Sequence, residues 1–211
     1  FDHHGMTEVG PVTYQCSEHP GWLHVVEESY LAEIVNLESG ETVAPGETGE
    51  LCTRGYSVMR GYWNDAEKTA ESIDAAGWMH TGDLATMDGS GYFNIVGRMK
   101  DMVIRGGENL YPREIEEFLY RHPKVSDVQI FGVPDEKYGE ELCAWIKLAE
   151  GERATGEEMR DFCKGQIAHL KIPRYIKFVD EFPMTVTGKI QKFVMREQMI
   201  AELGLAEAKT A

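Results

Sequence analysis

Residues 77–112 read GWMHTGDLATMDGSGYFNIVGRMKDMVIRGGENLYP, and the two textures that meet inside them decide the fold. An acid, Asp83, follows a Thr-Gly turn, and a cation, Arg98, comes fifteen residues later. Between them MDGSGYF has the composition of a hairpin turn running into an edge strand, so Asp83 and Arg98 are expected on neighbouring strands. A carboxylate accepts two hydroxyl hydrogens and a ribose diol offers two, so the pair suits a clamp on a polyhydroxyl group. A plain surface salt bridge fits the same pattern.

Upstream, short apolar runs are separated by Gly, Pro and Asp, as in LAEIVN, ESGETVAPGETGE and LCTRGYSVMRGYW, which predicts strands and turns. One short helix is expected over Asn64–Ile73, capped by Asn64, with Asp65 and Glu67 in its first turn. Downstream the texture changes. Pro112 suits a first helical position, Ile115, Phe118 and Leu119 share a face, and Pro123 ends the segment. Strands are expected around Val125–Val133 and Leu142–Leu148, the second with Leu142, Ala144, Ile146 and Leu148 alternating. Thr155 and Glu158 make a capping-box pattern for a helix whose apolar face runs through Met159, Phe162, Cys163, Ile167 and Leu170. Tyr175–Val179 reads as a third strand and Gln191–Leu203 as a last helix. Strands with helices between them give a small α+β domain.

Composition narrows the partners. A net charge of -15 over 211 residues repels both a nucleic-acid backbone and an anionic membrane. An acidic chain that binds an anion must gather its cations locally, so each Lys or Arg beside a glycine loop is informative. Cys16, Cys52, Cys143 and Cys163 form no CxxC pair, which points to a reduced, cytoplasmic chain. No apolar run reaches the ~18 residues of a membrane span. FDHHGMTEVG carries neither a basic nor an apolar signal region, and without an initiating Met the sequence reads as a fragment.

Residues 77–112 resemble the core motifs of the acyl-adenylate-forming superfamily, which includes acyl-CoA synthetases, luciferases and the adenylation domains of peptide synthetases. The likeness runs from His4 to Arg196. It implies that Asp83, in TGD, binds the ribose hydroxyls of ATP and that Arg98, in GRMKD, supports the same nucleotide. HHGMTE (His3–Glu8) resembles the family's YGxTE motif. The resemblance implies that His4, Gly5 and Met6 lie along the nucleotide, that Thr7 contacts the α-phosphate, and that Glu8 holds Mg²⁺, hard oxygen for hard cation. His4 departs from the family's usual Tyr and brings a titratable ring to the adenine. Without the resemblance, Thr7-Glu8 would be taken for a helix cap.

Three further segments acquire roles by resemblance. In RGGENLYPREIEEFL (Arg105–Leu119) a glycine pair before a helix is by itself a turn; the family likeness implies that Gly106 and Gly107 line the tunnel for the pantetheine arm of coenzyme A. In FPMTVTGKIQK (Phe182–Lys192), read as a flexible polar loop, Lys189 matches the adenylation lysine that bridges the substrate carboxylate and the α-phosphate. LKIPRYIKF (Leu170–Phe178) places Lys171 and Arg174 beside a strand, either as a site for CoA phosphates or as charges guarding a solvated edge. Gly46–Thr69 resembles another family motif, whose glycines and aromatics are assigned to packing and turns alone. Cys16, His19 and His24, with His3 and His4, follow no zinc spacing, and a histidine-rich turn is the commoner explanation.

The resemblance thus implies an α+β chain in which residues 1–99 are the β-rich end of a large ATP-binding domain. Residues 101–211 would be a small mobile lid, with Lys100 as the hinge. The implied activity is ATP-dependent conversion of a small-molecule carboxylic acid to acyl-AMP, then transfer to coenzyme A. The opening GMTEVGPVTYQC stretch looks most like phenylacetate-CoA ligases, and the chain from GETGELCTRG onward like fatty-acyl-CoA synthetases, so aryl acids and fatty-acid metabolism are both expected directions. The family's triphosphate loop and acyl pocket lie upstream, so the chain needs the missing N-terminal part of its domain and is expected to be inactive alone. An adenylation module loading a carrier protein and a non-catalytic nucleotide-binding remnant are the alternatives.

Overall fold

The computed structural model describes residues 5–6, 8–18, 23–25 and 30–205. The chain divides into two compact units, Phe1–Lys100 and Asp101–Ala211. In the first, a small antiparallel pair joins β1 (Gly5–Met6) to β2 (Gly10–Pro11). The main sheet is built from β3 (Thr13–Gln15), β4 (Leu23–Val25), β5 (Tyr30–Val35), β6 (Thr48–Gly55), β7 (Met79–Met87) and β8 (Phe93–Arg98). Its spatial order is β3-β4-β8-β7-β6-β5, antiparallel throughout. Ile34, Leu51, Ala85 and Phe93 are buried together on this sheet, and burial of the three larger side chains contributes on the order of 1.5–3 kcal/mol each. The short helix α1 (Ala66–Ser72) is capped by Asp65, whose Oδ1 accepts the Lys68 N–H at 2.9 Å. This corrects the expectation of Asn64 as cap. Asn64 instead takes φ +54, a left-handed turn position that Asn tolerates better than most residues.

The second unit opens with β9 (Val103–Arg105) and β10 (Glu108–Leu110), a hairpin not anticipated from sequence. Then come α2 (Pro112–Leu119), β11 (Val125–Asp135), β12 (Gly139–Leu148), α3 (Gly156–Cys163), β13 (Tyr175–Phe178) and α4 (Lys192–Leu203). The strand order is β10-β9-β12-β11, with β13 parallel to β12. Both faces of the β11–β12 pair are covered. Val128, Ile130, Leu142, Ala144 and Ile146 pack with Ile115 and Leu119 of α2 and Met159 and Cys163 of α3. The intervening Phe131, Val133, Cys143 and Trp145 pack against Met195 and Met199 of α4. The alternation in Leu142–Leu148 therefore sorts residues between two cores rather than between core and solvent.

Thr155 caps α3, accepting the Glu158 N–H at 3.1 Å. The expected helical face breaks after Cys163, because Lys164 has extended ψ; Ile167 and Leu170 still reach the same core from the turns that follow. Among the described residues no helix is long and apolar enough to cross a membrane.

Candidate functional site

The register of β7 against β8 sets Asp83 opposite Arg98, and Arg98 Nε donates to Asp83 Oδ1 at 2.9 Å. Asp83 is 7% exposed, whereas half of the Arg98 side chain faces solvent. An acid held inside the sheet thus carries a cation at its mouth. A cleft lined by Thr81, Gly82, Arg98, Met99 and Lys100 opens there.

On its other side β7 pairs with β6, and here the ladder is broken. From Cys52 to Glu50 the chain takes two steps along β6, while β7 takes four, from His80 to Leu84. Thr81, Gly82 and Asp83 thus stand opposite Leu51 alone, two residues in excess, forming a bulge that re-aims their side chains. Gly82 has φ +69, a conformation that favours glycine. Side chains replace the lost ladder bonds. Gly82 N–H donates to Glu50 Oε1 at 3.0 Å, Thr81 Oγ1 donates to Leu51 O at 2.7 Å, and Asp83 N–H donates to Thr81 Oγ1 at 3.1 Å. Glu50 Oε2 accepts from His80 Nδ1 at 2.8 Å, and Cys52 Sγ lies 3.5 Å from the same nitrogen. Burial, reinforced by the Glu50 charge, pushes the Cys52 thiol up to about 12, so it is a neutral packing group. Glu50 lies inside the segment assigned to packing and turns alone, and His80 was assigned nothing. The legible signal was a buried-strand Glu and a His flanking a glycine turn.

Of the His3–Glu8 motif, His4 and Thr7 lie outside the described residues. Gly5 and Met6 form β1, and Glu8 is half-buried in the turn before β2, accepting from Tyr62 Oη at 3.2 Å. A single carboxylate suits Mg²⁺, which keeps waters and phosphate oxygens in its other positions. Of the suspected zinc group, His19 is likewise outside the described residues, and the His24 ring stacks on Tyr14 and meets Tyr92 edge-on.

In the second unit, Gly106 and Gly107 form the two-residue turn between β9 and β10, with φ +61 and +86. Positive φ at both positions is the signature of a tight hairpin turn matched to strand twist, so backbone geometry by itself favours glycine there. Gly106 N–H donates to Tyr138 O at 2.8 Å. Lys189 is exposed on a second tight turn rather than a flexible loop. Its N–H donates to Thr185 Oγ1 at 3.0 Å, its carbonyl accepts the Thr185 N–H at 2.8 Å, and Met184 bridges Ile190. Lys192, at the foot of this hairpin, donates to Glu116 Oε1 at 2.7 Å and Ile130 O at 2.9 Å. The two basic residues flanking Pro173 are already paired. Lys171 donates to both Glu114 oxygens at 2.6 and 2.7 Å, and Arg174 to Asp135 Oδ2 at 2.9 Å.

Residues 1–63 match the model of the AMP-binding enzyme family, and residues 114–189 the model of the AMP-binding enzyme C-terminal domain. The chain is 50% identical, over 98% of its length, to a putative acyl-CoA synthetase, YngI, of Bacillus subtilis. It is 51% identical, over 96% of its length, to the mitochondrial medium-chain acyl-CoA ligase ACSF2 of Macaca fascicularis. It spans 39% and 34% of the lengths of these relatives. The ATP-bound crystal structure of MatB from Rhodopseudomonas palustris superposes with a TM-score of 0.86 at 34% identity, covering 93% of this chain and 40% of that one.

Proposed function

The chain belongs to the AMP-binding enzymes, and from that premise we propose that the protein of which it forms part is an AMP-forming acid–CoA ligase. The observation that carries this reading is the buried Asp83 carboxylate, braced in a bulge and set in register with Arg98 beside an open cleft. In the proposed mechanism Asp83 accepts the ribose hydroxyls, and Arg98 turns its exposed guanidinium to the nucleotide. His4, Gly5 and Met6 are assigned to the nucleotide, His4 at the adenine, and Thr7 to the α-phosphate. Mg²⁺, when bound, neutralises phosphate charge, and Glu8 is the residue that would hold it. As the acid attacks the α-phosphate and pyrophosphate departs, the Lys189 ammonium stabilises the charge that builds on the transferring oxygens.

In the second half-reaction the thiol of coenzyme A attacks the acyl-AMP carbonyl and AMP leaves. We assign Gly106 and Gly107 to the pantetheine arm, and Lys171 with Arg174 to the CoA phosphates, which would exchange Glu114 and Asp135 for the ligand. Lys100 is the proposed hinge between residues 1–99 and 101–211; the division of the compact units after Lys100 supports this placement. The relatives' names favour an aliphatic acid of medium length, hence a place in fatty-acid metabolism, over an aryl acid. All four cysteines are buried and none forms a disulfide, which supports a reducing compartment, the cytoplasm in this reading.

The test is ATP–pyrophosphate exchange by the full-length protein across straight-chain acids and phenylacetate, followed by transfer to CoA or to a holo-carrier protein. Exchange with medium-chain acids and transfer to CoA is the expected result. Transfer to the carrier alone would replace the ligase reading with a carrier-loading one.

A further inference from the structure

The Thr81-Gly82-Asp83 bulge has to be held in place by something other than the strand ladder, because the ladder is interrupted there. We infer that Glu50 and His80 are positioning residues that set Asp83 for the ribose of ATP; the inference rests on the nucleotide reading above. Glu50 is 6% exposed and uses both carboxylate oxygens, Oε1 on the Gly82 N–H and Oε2 on His80 Nδ1. Removing it orphans a backbone donor in a part-buried turn, which then has to rotate to find water. Gly82 has positive φ, has no side chain to restrict its rotation, and is bonded directly to Asp83, so rotation of that peptide swings the carboxylate away from Arg98. His80 keeps Glu50 oriented. A carboxylate only accepts, so Nδ1 carries the hydrogen, and this fixes the ring tautomer.

Glu50, Cys52 and His80 also place one oxygen, one sulfur and one nitrogen within 4.8 Å of one another, a donor set that a thiophilic cation would accept. The hydrogen bonds favour the brace, since Nδ1 and both Glu50 oxygens are already engaged on protein partners.

The experiment compares kcat/KM for ATP with that for 2′,3′-dideoxy-ATP in the full-length protein. Glu50→Ala and His80→Ala are expected to raise KM for ATP about tenfold and to shrink the ATP preference, with KM for the acid unchanged. Glu50→Gln keeps an acceptor for Gly82, and His80→Asn keeps a donor near the Nδ1 position; both should retain most of the preference and guard against misfolding. Combining Glu50→Ala with Asp83→Ala should lose no more preference than Asp83→Ala alone. If Asp83→Ala shrinks the preference and a folded Glu50→Ala enzyme keeps it, the brace is overturned while the nucleotide reading stands. If Asp83→Ala keeps the preference, the nucleotide reading fails and takes the inference with it. Stoichiometric zinc in the purified protein that disappears with Cys52→Ser would also overturn the brace.

Discussion

The candidate residues of the two units are held in opposite ways. Asp83 is buried in a sheet, its turn satisfied by Glu50 and Thr81 and its carboxylate met by Arg98. Lys189, Gly106 and Gly107 sit at the tips of hairpins, and Lys171 and Arg174 lie near the surface in ion pairs. A group that grips a substrate through both half-reactions gains from being rigid before the substrate arrives. A group that acts in only one gains from being carried on a projection whose base is fixed. The Lys189 hairpin has such a base, since Lys192 is tied to both Glu116 and Ile130.

The sharpest break of this contrast is Lys189→Ala in the full-length protein. Adenylation should fall about a hundred- to thousand-fold, ~2.7–4 kcal/mol, while thioester formation from supplied acyl-AMP persists. Equal losses in both steps would make Lys189 structural and erase the distinction between the units. Lys100→Pro comes next: it fixes φ at about -65° and deletes an N–H without touching Asp83, Arg98 or Lys189. One half-reaction should survive and most of the other be lost, read by rapid-quench adenylation beside CoA transfer. Loss or survival of both in a folded enzyme would remove residue 100 as the hinge.

Asp83→Ala probes the rigid side. Loss of charge-assisted hydrogen bonds, worth ~1.5–3 kcal/mol, should lower kcat/KM for ATP by about ten- to a hundred-fold with little change in KM for the acid. Lys192→Ala loosens the base of the hairpin and should slow adenylation about tenfold without changing KM for ATP. A matching change in KM for ATP would mean that the hairpin also binds the nucleotide. The smallest effect is on Lys171→Ala and Arg174→Ala, whose ion pairs each keep one partner about half exposed and contribute ~1 kcal/mol or less to stability. Thermal midpoints should barely move, while KM for CoA should rise several-fold. An unchanged KM for CoA would leave both residues as charges on a solvated edge.

Local pattern sufficed where one segment's own chemistry decides its structure. Pro112 and the Ile115–Leu119 face define α2, Thr155 starts α3, and the apolar runs at 125–133 and 142–148 become the paired strands β11 and β12. The Asp83–Arg98 pairing was also legible, because a glycine-rich turn halfway between them folds the chain back on itself. The roles proposed for Thr7, Gly106 and Lys189 rest on motif likeness, since a threonine, a glycine turn and an exposed lysine have no chemistry of their own that spacing reveals.

What tertiary structure alone decided depends on contacts far apart in sequence. Glu50 reaches Gly82 across thirty-two residues, and the bulge exists only because two strands of unequal local length must share one ladder. The second face of β12 became core because α4, some fifty residues later, covers Cys143 and Trp145; periodicity shows which side chains share a face, but not whether anything arrives to bury it. Lys171 and Arg174 stood in the sequence as a free basic pair, and only folding brought Glu114 and Asp135 to them. The sequence by itself determined most of the helices and longer strands and the residue types at the site, but not the β9–β10 hairpin. Which of those residues are braced, and which are merely displayed, was decided by distant groups satisfying buried donors and charges that local structure had left without partners.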